Sequence, residues 1–463
     1  MKRANLLSKL FFLCVIVLLN FTLTAQEYKV VETGQIQCYD EDGNTITCPS
    51  PGDSLYGQDA QYSSLEFSFA DNSDGTISDE NTGLMWQQVP NSQNFIWQQA
   101  VDYCENLVFA GYDDWRMPSL KELFSISDFN VGWPYLNTDY FTLASGQITK
   151  DEQYWSSNFY VGVTVEGGSN AAFGINHVTG HIKAYAANSG GPVGGKYVRA
   201  VRGNAYGVNE YVDNGDGTIS DNATGLMWSQ NDSEDGIDWK AALIYAESSE
   251  FAGHDDWRLP NVKELHSIVD YGYSPSATDP DKVGPAIDPI FNCTPIINEA
   301  GDDDYAYYWT GTSAPFRASE PYYYGWYVAF GRAVNNEGLD FHGAGGVRFD
   351  TKYEGGPQGE DGERYYNYVR LVRNIGTTGI EGSTMDNNSL KIYPNPAKNQ
   401  LTIVGDDEIL VAYVYSITGV LLVKEESNQQ NITLDISHLN NGVYFIRVIT
   451  ANFAVHTKTI IKQ

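Results

Sequence analysis

The sequence predicts an α+β fold: one domain repeated in tandem, each copy with two helices and a β-rich remainder, followed by a small all-β sandwich. Three observations carry this. Residues 71–128 align without a gap to residues 213–270 at a constant offset of 142, with about half the positions identical; a period that long marks duplicated domains rather than a solenoid. Each copy holds two stretches at helical spacing and then Gly- and Tyr-rich chain. After residue 390 the chain breaks into short, often alternating apolar runs separated by turn signals.

The elements follow in order. Lys2, Arg3 and Lys9 precede an apolar run from Leu10 to Leu19, and Ala25 offers a cleavage point, so residues 1–25 read as a signal peptide and the mature chain as exported without a transmembrane anchor. In an oxidising compartment Cys38 and Cys48, flanking an Asp42-Gly43 turn, are expected to close a disulfide hairpin within residues 26–57. Cys104 and Cys293 either pair or stay reduced, and no Cys/His zinc spacing occurs.

The first repeat is placed at 58–205 and the second at 206–374. Asp-Gly at 74–75 and 216–217 suits a tight turn between strands. Trp97 to Phe109 and Trp239 to Phe251 have helix-compatible spacing, with Trp97, Ala100, Val101, Cys104 and Val108 on one stripe. A second helix follows each Pro: Ser119-Leu-Lys-Glu122 is a capping-box pattern and Asn261-Val-Lys-Glu264 a close variant. Tyr197-Val-Arg-Ala-Val-Arg202 and Tyr368-Val-Arg-Leu-Val-Arg373 close the copies. Residues 375–389 are small and polar and read as a linker. Beyond them lie Tyr393-Pro394-Asn395-Pro396, Gly442-Val-Tyr-Phe-Ile-Arg-Val448 and Lys458-Thr-Ile-Ile-Lys462.

These motifs resemble two families. The Asp-Gly-Thr-Ile-x-Asp, Thr-Gly-Leu-Met-Trp, Asp-Asp-Trp-Arg-(Met/Leu)-Pro, Lys-Glu-Leu and Tyr-Val-Arg-x-Val-Arg series, twice over, resembles the Lcl C-terminal domain family. That resemblance implies a C-type lectin-like fold in each repeat and a role in attachment to glycans. The Tyr-Pro-Asn-Pro opening, the Gly-Val-Tyr-Phe-Ile-Arg strand and the Lys-rich last strand, over 390–463, resemble the C-terminal sorting domain of the type IX secretion system. It implies an immunoglobulin-like sandwich and carriage across the outer membrane of a Bacteroidota-type bacterium by that machinery.

The candidate chemistry is of two kinds. Asp71, Asp74, Asp79, Asp213, Asp216 and Asp221 supply oxygens of the type Ca²⁺ takes, so Ca²⁺ is the one cofactor considered; the alternative is a hairpin held by Asx hydrogen bonds. Four pairs of Trp at repeat-matched positions read as core, leaving Trp133 and Trp326 unpaired, the latter in Pro321-Tyr-Tyr-Tyr-Gly-Trp-Tyr327. Tyr322, Tyr323, Tyr324 and Trp326, with Asp340 and His342, form the candidate ligand site, offering stacking faces beside acceptors for sugar hydroxyls. Arg116, Arg258, Arg199, Arg202, Arg370 and Arg373 read as salt-bridge partners of carboxylates. No catalytic residues stand out: the hydrolase and phosphate-loop motifs are missing.

Charge narrows the partners. Twenty-eight Lys and Arg against 59 Asp and Glu leave −31, which excludes a phosphate-tracking nucleic-acid binder and opposes sulfated polyanions. The sequence therefore reads as a secreted or outer-membrane-surface protein that binds extracellular glycans or other surface polymers. The alternatives are an extracellular polymer-acting hydrolase or oxidase, and a structural surface protein without a small ligand.

Overall fold

The computed structural model describes residues 28–463 except 63, 131, 190–194, 360–363, 376–389, 417–420 and 451–454. The signal peptide and most of the linker thus lie outside the described residues. The chain divides after Ile375 into two compact units. It is mostly β structure with few helices, and no helix among the described residues is long and apolar enough to cross a membrane.

In the first unit each repeat begins with an antiparallel hairpin. Phe69–Asp71 pairs with Thr76–Asp79, and Tyr211–Asp213 with Thr218–Asp221. The Asp-Gly turns sit between these strands, and Gly75 and Gly217 both have φ +89, a conformation that L side chains adopt at a cost. Each hairpin is widened by the Leu-Met-Trp strand, Leu84–Gln87 or Leu226–Ser229, and by the closing strand, Val201–Arg202 or Val372–Asn374. Alternation along Leu-Met-Trp buries Leu84 and Trp86, and Leu226 and Trp228.

Four short helices follow: α1 (Trp97–Glu105), α2 (Leu120–Ser125), α3 (Trp239–Glu247) and α4 (Val262–Ser267). The first and third stop four residues before the Phe that the spacing predicts. Ala110 and Ala252 (φ +51 and +52) and the next Gly turn the chain back, so that Phe109 bridges Tyr112 and Phe251 bridges His254. Val108 therefore leaves the buried stripe and is exposed, whereas Ala100 and Cys104 remain in the core. Both expected capping boxes form: Ser119 and Asn261 accept from the amides of Glu122 and Glu264, whose carboxylates reach back to the cap amides.

The repeats are joined in one eight-stranded sheet. Its order is Tyr307–Ala314, Tyr324–Ala329, Val347–Thr351, Ile182–Ala186, Ala171–Asn176, Gln153–Phe159, Lys196–Val198 and Asn91–Phe95. The seam between copies is the pairing of Val347 with Ile182. On the helical side α2 and α4 meet, with Phe124 and His266 rings 4.6 Å apart.

The second unit is an antiparallel sheet of five strands: Leu390–Tyr393, Gln400–Ser416, Leu421–Asp435, Gly442–Thr450 and Val455–Lys462. The expectation of several short strands gives way to two long ones whose register shifts near residues 404–411. This unit has a core of its own, built on Leu401, Ile403, Ala412, Val414, Ile446 and Val448.

Candidate functional site: a cleft between the repeats

The motifs that define the repeats prove to be braces. Arg116 donates twice to Glu122 (2.7 and 2.5 Å) and Arg258 twice to Glu264 (both 2.6 Å), tying the Trp-Arg-x-Pro corner to the helix cap. Arg202 and Arg373 grip Asp114 and Asp256 with paired bonds of 2.6 and 3.0 Å. Arg199 and Arg370 differ from the expected ion pairs. Each is fully buried and donates to three backbone carbonyls: those of Gln87, Gln88 and Thr142, and those of Ser229, Gln230 and Asn292. Carbonyl dipoles satisfy the guanidinium where a loop must be held to a strand.

The copies also brace one another reciprocally. Lys121 of the first repeat donates to Gly207 O (3.1 Å) and Asn209 Oδ1 (2.7 Å) on the chain entering the second. Its counterpart Lys263 donates to Glu32 O (2.7 Å) and Ser125 O (2.8 Å) on the first-repeat side. Burial lowers both ammonium groups, Lys121 to about 8 and Lys263 to about 7, against the pull of Asp221 and Asp270 on the one and of Asp128 and Asp79 on the other.

Where α2, the connector 205–211 and the chain after α4 converge, a cleft of about 860 Å³ opens. Its walls include Arg116, Lys121, Asn158 and Phe159 from the first repeat, Gly207 and Val208 from the connector, and Asp270, Tyr271 and Asp288 from the second. The charged groups are held in place: Asp270 accepts from the amide of Gly272 (2.8 Å), Asp288 from that of Ile290 (2.8 Å), and Glu122 from that of Tyr206 (3.3 Å). Phe159 and Val208 are exposed. The cleft is thus a fixed surface of hydrogen-bonding groups and apolar faces, suited to holding a ligand.

Residues 75–202 and 217–373 match the model of the Lcl C-terminal domain, and together these stretches cover more than half of the chain. The chain belongs to the Lcl C-terminal domain family. Residues 391–463 match the secretion system C-terminal sorting domain, which marks type IX cargo that is secreted or attached to the cell surface. Among solved structures, PorZ, described as an essential bacterial surface component of the type-IX secretion system of Porphyromonas gingivalis, matches at 15% identity over 52% of this chain and 29% of its own. The TM-score is 0.15, too low for a likeness of fold. This chain thus spans under a third of that one. No curated protein matches.

Within the Lcl repeats the six turn aspartates do not converge. Asp71 and Asp213 accept from the amides of Ser73 and Gly215, and Asp74 and Asp216 from both the amide and hydroxyl of Thr76 and Thr218. Asp79 accepts from the amides of Asn81 and Thr82, and Asp221 from those of Glu210 and Ala223. Among the described residues no group of three or more His, Cys, Asp or Glu side chains could hold a metal ion. The geometry is that of Asx-bonded hairpins.

The aromatic loop is placed inside the protein. Trp326 is 0% exposed and packs edge-on against Phe129 and Tyr135, so its faces are covered. Tyr322 is stacked at 4.1 Å on Tyr39 of the disulfide hairpin, and Tyr324 is buried with its hydroxyl on Gln358 O (3.1 Å). Tyr323 is half-buried beside Tyr324. Asp340 accepts from Tyr160 (2.7 Å) and from the amide of Gly343 (2.7 Å), and His342 is buried. Standing outside the repeat pairing does not put Trp326 outside the core, because the joined repeats supply a second set of neighbours. The Cys38–Cys48 disulfide forms, while Cys104 and Cys293 are free thiols. In the sorting motif, Tyr393 is exposed and Asn395 Oδ1 accepts from the amide of Ile461 (2.9 Å).

The cleft residues escape motif reading. They come from both repeats and from the connector, which in sequence reads only as a boundary. The one local signal is Phe159, an exposed ring at the position that Ser313 occupies in the second copy.

Proposed function

We propose that this protein is an adhesive surface protein of the type IX pathway whose ligand is held in the cleft between its repeats. The observation that carries this is the cleft itself: a fixed wall of polar groups and exposed apolar side chains on a chain whose sorting domain directs it outside the cell. The repeats are taken as 58–205 and 206–374, of C-type lectin-like form, with 390–463 as an immunoglobulin-like tail. Two helices, a hairpin and sheet strands in each copy support the first.

A glycan ligand draws no support from the loop around Trp326, whose rings pack internally; a sugar would use Phe159 beside Asn158, Asp270 and Asp288 in the cleft instead. The test is a parallel glycan and extracellular-protein array with the secreted chain and a Val208→Trp variant, which fills the cleft from an exposed position. Binding to some array member that the variant loses supports the reading. Binding unchanged by the variant, or no binding to any member, contradicts it.

A further inference from the structure

The two repeats face each other reciprocally, so the cleft has a counterpart on the other side of the α2–α4 contact. There the protein's own N-terminal strap fills the space. Val31 bridges Leu65, and Glu32 N donates to Leu65 O (2.9 Å) while Glu32 O accepts from Lys263. Thr33 O accepts from the amide of Phe129 (2.7 Å). Gln35 bonds Ser313 twice, its Oε1 accepting from the amide and its Nε2 donating to the carbonyl (both 2.9 Å). Gly34, at φ +82, passes so close to Asp128 that a Cβ would stand 2.8 Å from its Oδ1.

Thr33 also donates its hydroxyl to Asp59 (2.7 Å), which has no counterpart in the cleft; the other partners of the strap include Leu65, Asp128, Phe129, Lys263 and Ser313. Their repeat counterparts are Gly207, Asp270, Tyr271, Lys121 and Phe159, and all five line the open cleft. These five residues come from four separate stretches of chain, so their shared placement is not set by one local motif. The same wall is covered by an extended segment on one side and open on the other. The braces differ in the same sense through another segment: the Arg258 side chain, roofed by the Tyr62 ring at 5.1 Å, is 9% exposed, and that of Arg116 is 34% exposed.

We infer that the open cleft docks an extended polypeptide segment from a partner protein, in the manner of residues 31–35. The inference rests on the cleft being the binding site and names its ligand class. The segment would carry a glycine where it passes Asp270, as Gly34 does at Asp128. Hydroxyl or amide side chains flank that glycine, as Thr33 and Gln35 do. Main-chain groups supply much of the recognition, as in strand addition to an exposed backbone.

The probe is a synthetic peptide of residues 30–37, Val-Val-Glu-Thr-Gly-Gln-Ile-Gln, titrated by calorimetry into the mature chain, in which the internal strap keeps its own side covered. Saturable one-to-one binding is expected, lost in the Val208→Trp variant, and weakened roughly tenfold when the peptide glycine becomes alanine, the cost of a left-handed conformation at an L residue. Equal melting temperatures for variant and parent show that the variant is folded. No binding overturns the inference, as does binding indifferent to Val208→Trp or to the glycine replacement. Cleft-dependent binding to a glycan with the peptide silent overturns the ligand class and leaves the adhesive reading standing.

Discussion

At the residue scale the repeats show the same chemistry at two depths. Arg258–Glu264 is enclosed beneath the Tyr62 ring, whereas in Arg116–Glu122 the arginine borders the cleft and meets water while Glu122 is buried. Removing one partner of an enclosed pair leaves a buried charge and costs about 3–5 kcal/mol; Glu122 is only 2% exposed too, but water can enter where the 34%-exposed Arg116 side chain stood. Arg258→Met should therefore lower unfolding free energy, measured in urea, more than Arg116→Met. A second residue-level prediction concerns Asp340, whose carboxyl is pushed up to about 7 by burial, against the Tyr160 and Gly343 hydrogen bonds that lower it. The folded state holds that proton from about pH 4, where the unfolded chain releases it, up to about 7. Its contribution is thus fully present below about pH 4 and lost as pH rises through 7. Asp340→Asn should remove that downward slope, and the difference in melting temperature between the proteins should change across this window.

At the scale of elements the sequence was legible wherever a local rule decides the outcome. The Asp-Gly hairpins, the capping boxes at Ser119 and Asn261, and the Cys38–Cys48 bridge depend on neighbours within about a dozen residues. The lengths of α1 and α3 were not legible, because the reversal at Ala110 and Ala252 uses a positive φ that no composition signals. Nor was the burial of Trp326, which depends on Phe129 and Tyr135 of the other repeat. The turn aspartates make a sharp case. Their oxygens suit Ca²⁺ by type, yet each of the six carboxylates commits at least one oxygen to nearby amides or hydroxyls and the six do not converge. Addition of millimolar Ca²⁺, or its removal by chelator, should leave the melting temperature unchanged, as scanning calorimetry would show.

At the scale of the whole molecule, duplication followed by unequal covering explains why a repeated sequence leaves the groove between the repeats open on one side of the α2–α4 contact and covered on the other. The eight-stranded sheet fixes the repeats to one another, and the N-terminal strap closes one of two equivalent grooves. Sequence comparison reveals the equivalence of the repeats but not the strap's place on it, since the strap has no counterpart in the second copy. The charge of −31 opposes an outside polyanion, and Lys121, Lys263, Arg199 and Arg370 are each bonded to oxygens of the chain itself. The central claim is that the exported protein adheres through the cleft. Attachment of cells displaying equal amounts of the parent and of Val208→Trp, measured on the same ligand-coated surface, tests it most directly. The variant's attachment should fall to that of cells lacking the protein; attachment equal to the parent's would contradict adhesion through the cleft.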